Sequence, residues 1–145
     1  MEEREITLAL RDFLLCKDWQ ILSIHFPGAQ GGLSISVNGK SRGWVPDIIA
    51  LKDRAILVVE CKPKYSNADI NKLNIMFKNP KFFKKIKQKL RLSSDFIFQK
   101  AIGFHAICFR QEHVPTDFVI FVVKDEATIN VLFGKCVDPK IHDIL

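Results

Sequence analysis

The chain has 145 residues, which is room for one domain with a real core and too little for a second module. With 48% hydrophobic and 26% charged residues it has the balance of a folded soluble protein, and no apolar stretch approaches the length needed to span a bilayer. The net charge of +6 directs attention to polyanionic partners.

In chain order, Met1-Glu2-Glu3-Arg4-Glu5 is too acidic for a signal peptide, so the expected location is the cytoplasm. Glu2 to Lys17 reads as a helix, because Ile6, Ala9, Leu10, Phe13 and Leu14 recur at helical spacing without Gly or Pro. Trp19 to Phe26 is strand-like and stops at Pro27-Gly28. The Gly-, Ser- and Asn-rich stretch to Gly43 predicts a loop, with a short strand in Leu33 to Val37 as the alternative. Val45 to Leu51 and Ala55 to Cys61 are apolar on both faces, as central strands buried on both sides are. Ser66 to Leu92 predicts helix, capped at Ser66 and split at Asn79-Pro80. Phe104 to Phe109 and Asp117 to Val123 predict two more strands, and the tail from Glu126 carries no clear pattern. The whole, residues 1–145, reads as a single α/β domain with a mixed sheet covered by helices on both faces.

The four cysteines show no CxxC and no Cys/His pairing. Three lie in apolar runs, which predicts buried reduced thiols and no zinc site. His105, in an apolar strand, reads as a core histidine. Phe82, Phe83, Phe96 and Phe98 read as core and not as base-stacking residues.

Between Ile70 and Ser94 stand eight basic residues and no acid. From Lys81 to Leu92 an apolar stripe of Phe83, Ile86 and Leu90 is flanked by Lys78, Lys81, Lys85 and Lys89 on one side. Lys84, Lys87 and Arg91 flank it on the other. A helix packed on the sheet with its shoulders toward nucleic-acid phosphates has this pattern. A membrane-surface helix shares it, but the adjoining strands need a covering helix.

The chemistry resides in the two central runs. If they close through a two-residue turn at Asp53-Arg54, Lys52 faces Ala55, and counting back along the hairpin brings Asp47 opposite Glu60. Alternation puts Glu60 and Lys62 on one face and turns Cys61 away. Facing buried carboxylates repel, and deleting Asp47 would relieve that repulsion in the absence of metal. A divalent cation resolves the conflict: magnesium takes carboxylate oxygens and keeps waters for a phosphate and a nucleophile. Lys62 could orient or deprotonate that water, or offset charge on the phosphate. The ordinary alternative makes Asp47 a strand-start residue and Glu60 with Lys62 a same-face ion pair, but charges inside an apolar strand are expensive without a use.

Val45-Pro46-Asp47-Ile48-Ile49-Ala50, the thirteen-residue step from Asp47 to Glu60, and Glu60-Cys61-Lys62 resemble the motif of the PD-(D/E)xK nuclease superfamily, which includes restriction endonucleases and Holliday-junction resolvases. The resemblance implies a restriction-endonuclease-like αβββαβ core and magnesium, or manganese, as cofactor. It makes Asp47 and Glu60 metal ligands, the Cys61 carbonyl a further ligand and Lys62 the catalytic lysine. Such families often add an acid from the first helix. Glu3 is best placed, since Ile6, Thr7 and Leu10 follow it on one helix face; Glu2 is nearly as well placed and Glu5 less so.

The expected function is a restriction-like endodeoxyribonuclease. With little chain left over for reading sequence, it would act as a homodimer or beside a larger recognition subunit. The expected DNA contacts are Arg42, in the loop before the motif, and Lys81, Lys84, Lys85 and Lys89. A Holliday-junction-resolvase-like enzyme, a non-catalytic nucleic-acid-binding protein that kept the fold, and a protein–protein adaptor are the alternatives. No membrane partner is expected.

Overall fold

The computed structural model describes residues 1–26, 45–92 and 95–145. The segment 27–44, with Arg42 and the candidate strand Leu33 to Val37, lies outside the described residues, as do 93–94. The elements run α1 (Glu3–Cys16), β1 (Gln20–Ile24), β2 (Ile48–Lys52), β3 (Ala55–Lys62), α2 (Asn67–Phe77), α3 (Pro80–Lys89), β4 (Ile97–His105), a short 3₁₀ turn (Gln111–His113), β5 (Phe118–Val123), β6 (Ile129–Phe133) and α4 (Pro139–Ile144). The fold is α/β, built on one open six-stranded sheet in the order β1-β2-β3-β4-β5-β6. β3, β4 and β5 are parallel, and the pairings of β1 with β2, β2 with β3 and β5 with β6 are antiparallel.

The central hairpin forms as its residues predict. Lys52 pairs with Ala55, Ile48 with Val59, and Asp53 takes the left-handed conformation (φ 52°) that a two-residue hairpin turn requires. Ala55, Leu57, Val59 and Cys61 of β3 face a core under α1 that includes Ile6, Leu10 and Leu14, and Ile141 of α4 joins it. Ile56 and Val58 face a second core under α2 and α3, with Leu73, Phe82 and Ile86. Both faces are therefore covered, as a sheet with parallel central strands requires. Among the described residues no helix is long and apolar enough to cross a membrane.

Several expectations are corrected. The fourth strand begins at Ile97 and ends at His105, so the run Phe104 to Phe109 is mostly the connection after it. Gln99 and Lys100 disguise the strand, but both have partners. The Gln99 amide donates to the carbonyls of Lys100 and Asp117, and the Lys100 ammonium bonds Asn74 and pairs with Asp117. His105, at the strand's end, is half-buried. Only Cys61 is a buried thiol, while Cys16, at the end of α1, and Cys108 and Cys136, in connections, are exposed. The buried stripe of α3 is Phe82 and Ile86, with Phe83 and Leu90 partly covered. Phe96 and Phe98 likewise pack against this core without being fully buried.

Gly103 lets α1 approach the sheet. A Cβ there would lie 2.2 Å from Leu10 Cδ1 and 3.8 Å from Cys61 Sγ, and Leu10 is fully buried. Gly103→Ala is expected to cost about 1–3 kcal/mol through overpacking and to push the first helix outward. Chemical denaturation of both proteins checks it; an unchanged midpoint means that Leu10 has room to yield.

Candidate active site

Asp47 stands one residue before β2, where the ladder that pairs Ile48 with Val59 would next bring it across from Glu60. Two bonds hold it there. Its carbonyl accepts from the His25 N–H (2.8 Å), and its carboxylate Oδ2 accepts from the Cys61 N–H (2.7 Å). The side chain thus takes over a backbone donor beyond the last ladder pair, and the carboxylate is aimed across the hairpin. Asp47 and Glu60 are both buried, at 5% and 3% exposure.

Burial, then the Asp47 charge and a hydrogen bond to it, push the Glu60 carboxyl up to about 9. Near neutral pH the cation-free pair therefore holds one proton between two carboxylates. Burial first, then the Asp47 charge, also drives the Cys61 thiol well above its ordinary value. The thiol faces Thr7 of α1 and takes no part in the chemistry of the opposite face.

Lys62 ends β3 with its ammonium 3.6 Å from Glu3 Oε2. Of the three N-terminal acids, Glu3 is the one that pairs with Lys62; the Glu5 carboxylate instead accepts from the Glu2 N–H (2.7 Å) and caps α1. Partial burial works to lower the Lys62 pKa, but the charges of Glu3, Asp69, Asp47 and Glu60 outweigh it and raise it above the ordinary lysine value. Without a metal ion Lys62 is therefore held as a cation, suited to offsetting negative charge.

Two residues of the site escaped the sequence reading. Asp69 and Lys72, in the first turns of α2, reach the same face as Glu60. The Lys72 ammonium is 3.6 Å from Glu60 Oε1, and Asp69 is 5% exposed, with its carboxyl raised by burial against the opposing pull of Lys62 and Lys72. The signal is present: Asp69, Leu73 and Met76 fall at helical spacing, so an acid stands on the stripe that packs inward, with Lys72 at its exposed edge.

The basic residues of α3 are not brought beside the acids. Phe83 packs on Phe98 with ring centroids 4.5 Å apart, and the Lys87 ammonium lies 5.9 Å from the Phe98 centroid and 3.7 Å from Asp95. Phe98 pairs with Ile56, four residues before Glu60, so α3 covers the sheet roughly 13 Å along the strands from the carboxylates. Lys81, Lys84 and Lys89 are exposed there, and Lys85 is half-buried.

A divalent cation fits the donor set. Glu60 Oε1 is buried and accepts no hydrogen bond among the described residues, so a carboxylate oxygen faces the site with its lone pairs uncommitted. Among the described residues no three His, Cys, Asp or Glu side chains close on a common point. The side-chain donors are thus Asp47 and Glu60, and magnesium, which keeps several waters, is commonly held by one or two carboxylates. Comparison with known proteins adds nothing to this picture, since no family model, no curated protein and no solved structure matches the chain.

Proposed function

We propose that the chain is a magnesium- or manganese-dependent endonuclease that hydrolyses DNA phosphodiester bonds within a restriction-endonuclease-like αβββαβ core. The observation that carries the reading is the buried Asp47–Glu60 pair, two residues from a lysine held charged by four surrounding acids. The element order, one helix, a three-stranded meander, a helical crossover and a parallel fourth strand, supports it, being the order that the motif's resemblance implies.

Asp47 and Glu60 would hold the cation, with the Cys61 carbonyl as the further donor the resemblance implies. Bound there, a divalent cation would polarise a phosphate oxygen and make water a better nucleophile. Cys61 N–H fixes the Asp47 carboxylate, Lys62 offsets charge gathering on the phosphate, and Glu3 keeps Lys62 in place. Four residues of strand correspond to roughly four base pairs along a duplex, so the lysines of α3 would grip phosphates flanking the scissile bond.

The deciding assay incubates the protein with linear, supercoiled and four-way-junction DNA in magnesium, manganese or EDTA. Cleavage that requires the cation supports the reading, and preference among the substrates separates a restriction-like from a resolvase-like enzyme. Full activity in EDTA removes the metal mechanism. Salt-dependent binding without cleavage points instead to a non-catalytic DNA-binding protein.

Binding is expected to weaken steeply with salt. If Lys81, Lys85 and Lys89 each neutralise a phosphate, changing all three to Gln flattens the slope of log affinity against log salt by about 2 to 3 units. The loss should be alike for all sequences, since phosphate contacts carry no base information. An unchanged slope means that this stripe faces solvent alone.

A further inference from the structure

Resting on that reading, we propose that Lys72 is a built-in competitor for the cation position at Glu60, and that Asp69, one turn earlier on α2, receives the Lys72 ammonium once a divalent cation is bound. Four observations carry this. The Lys72 ammonium stands 3.6 Å from Glu60 Oε1, near enough to offset the charge of the carboxylate pair and longer than a made hydrogen bond, so the contact is loose. That oxygen is buried and accepts no hydrogen bond among the described residues; Asp69 Oδ2 is in the same condition. Residues three apart on a helix share a face with Cβ atoms about 5–6 Å apart, and a four-carbon stem lets one ammonium reach either carboxylate while the helix stays still. Lys72 is 44% exposed and so has room to turn, whereas both acids are fixed in buried positions.

Even with its one proton the buried Asp47–Glu60 pair carries a negative charge, which is costly without a counter-charge, so α2 supplies one beside Glu60 while no metal is bound. A dication at Asp47 and Glu60 would displace it by simple repulsion. Asp69 then becomes the nearest acid of its own helix with an oxygen to spare, and taking Lys72 there removes a positive charge from beside the bound metal. The two residues thus act on cation affinity with opposite signs, and dependence of the Asp69 effect on Lys72 separates this arrangement from two independent charges.

Manganese titration of the full chain at pH 8, with free ion followed by electron paramagnetic resonance, tests it. Lys72→Met is expected to bind the ion roughly two- to fivefold more tightly, the range that loss of a half-exposed ion pair corresponds to, while Lys72→Arg keeps wild-type affinity. The sign survives competition from the proton on Glu60, because a dication gains twice as much as a proton from removal of a nearby positive charge. Asp69→Asn is expected to weaken binding in the wild-type background and to have little effect beside Lys72→Met, a non-additive cycle. Circular dichroism and thermal unfolding establish that each variant is folded. Unchanged or weaker binding by Lys72→Met overturns the competitor role. An Asp69→Asn effect of equal size in both backgrounds overturns the acceptor role, since Asp69 then acts only as a distant charge. Binding in the expected pattern without DNA cleavage sinks the nuclease reading and leaves this inference standing; absence of manganese binding in every variant sinks both.

Discussion

Asp47→Asn, Glu60→Gln and Lys62→Ala are each expected to lower magnesium-dependent DNA cleavage by at least about a thousandfold while the protein stays folded. The size follows from what each removes: a ligand to the ion that activates water, or a fixed positive charge where negative charge develops. Folding should survive for particular reasons. Asn at position 47 still presents a carbonyl oxygen to the Cys61 N–H, whereas Ala would orphan that buried donor at a cost of about 1–3 kcal/mol. Gln at position 60 is neutral, as Glu60 itself is in the cation-free protein near neutral pH. Ala at position 62 breaks only a partly exposed pair with Glu3. Nicking of supercoiled DNA gives the rates, and DNA affinity measured in calcium, which fills such sites with looser geometry, shows whether binding persists. Near-native rates in any two of the three variants would place the chemistry elsewhere.

The parts of this site that were legible in the sequence share a physical reason. Apolar runs on both sides of Asp53-Arg54 leave the hairpin one sensible register, and register carries side-chain direction with it, so the alignment of Asp47 with Glu60 followed from a turn and a period of two. Glu3 was legible because Ile6, Thr7 and Leu10, which follow it at helical spacing, are among the helix residues that face the core. Asp69 and Lys72 were not, since a cap-proximal acid and one lysine of a basic run have ordinary explanations until the helix is laid across the sheet. Strand β4 was displaced in the reading because polarity at Gln99 and Lys100 looks like solvent exposure unless their partners, Asp117 and Asn74, are known. The tail carries one local signal: Asp138 before Pro139 is a helix start, and the Asp138 carboxylate accepts from the Lys140 N–H (2.9 Å).

Stability of the cation-free protein is expected to fall as pH rises from about 4.5 toward 9, and Glu60→Gln is expected to remove much of that fall. Burial first, and then Asp47, hold the Glu60 carboxyl at about 9 in the folded chain, against 4.5 in the absence of these effects. Below the unfolded value both states carry the proton and the stabilisation is fully present. Above it the unfolded chain ionises while the folded chain keeps its proton, so stability drains at up to about 1.4 kcal/mol per pH unit until the folded group ionises too. Asp69, raised by burial, adds a smaller loss of the same sign. Neutralising Glu60 relieves the repulsion within the pair, and at position 47 Asn does so too while its carbonyl oxygen still accepts from the Cys61 N–H. Urea midpoints in EDTA at several pH values measure the effect. The variant should match or fall below wild type near pH 4.5 and exceed it by at least about 1–2 kcal/mol near pH 8.5. Magnesium should recover the difference in wild type by binding only the folded state, and should do little for Glu60→Gln, which has lost a ligand. A wild-type midpoint that stays flat across this range would mean that Glu60 is ionised in the folded protein, and the proton now assigned to the carboxylate pair would have no place there.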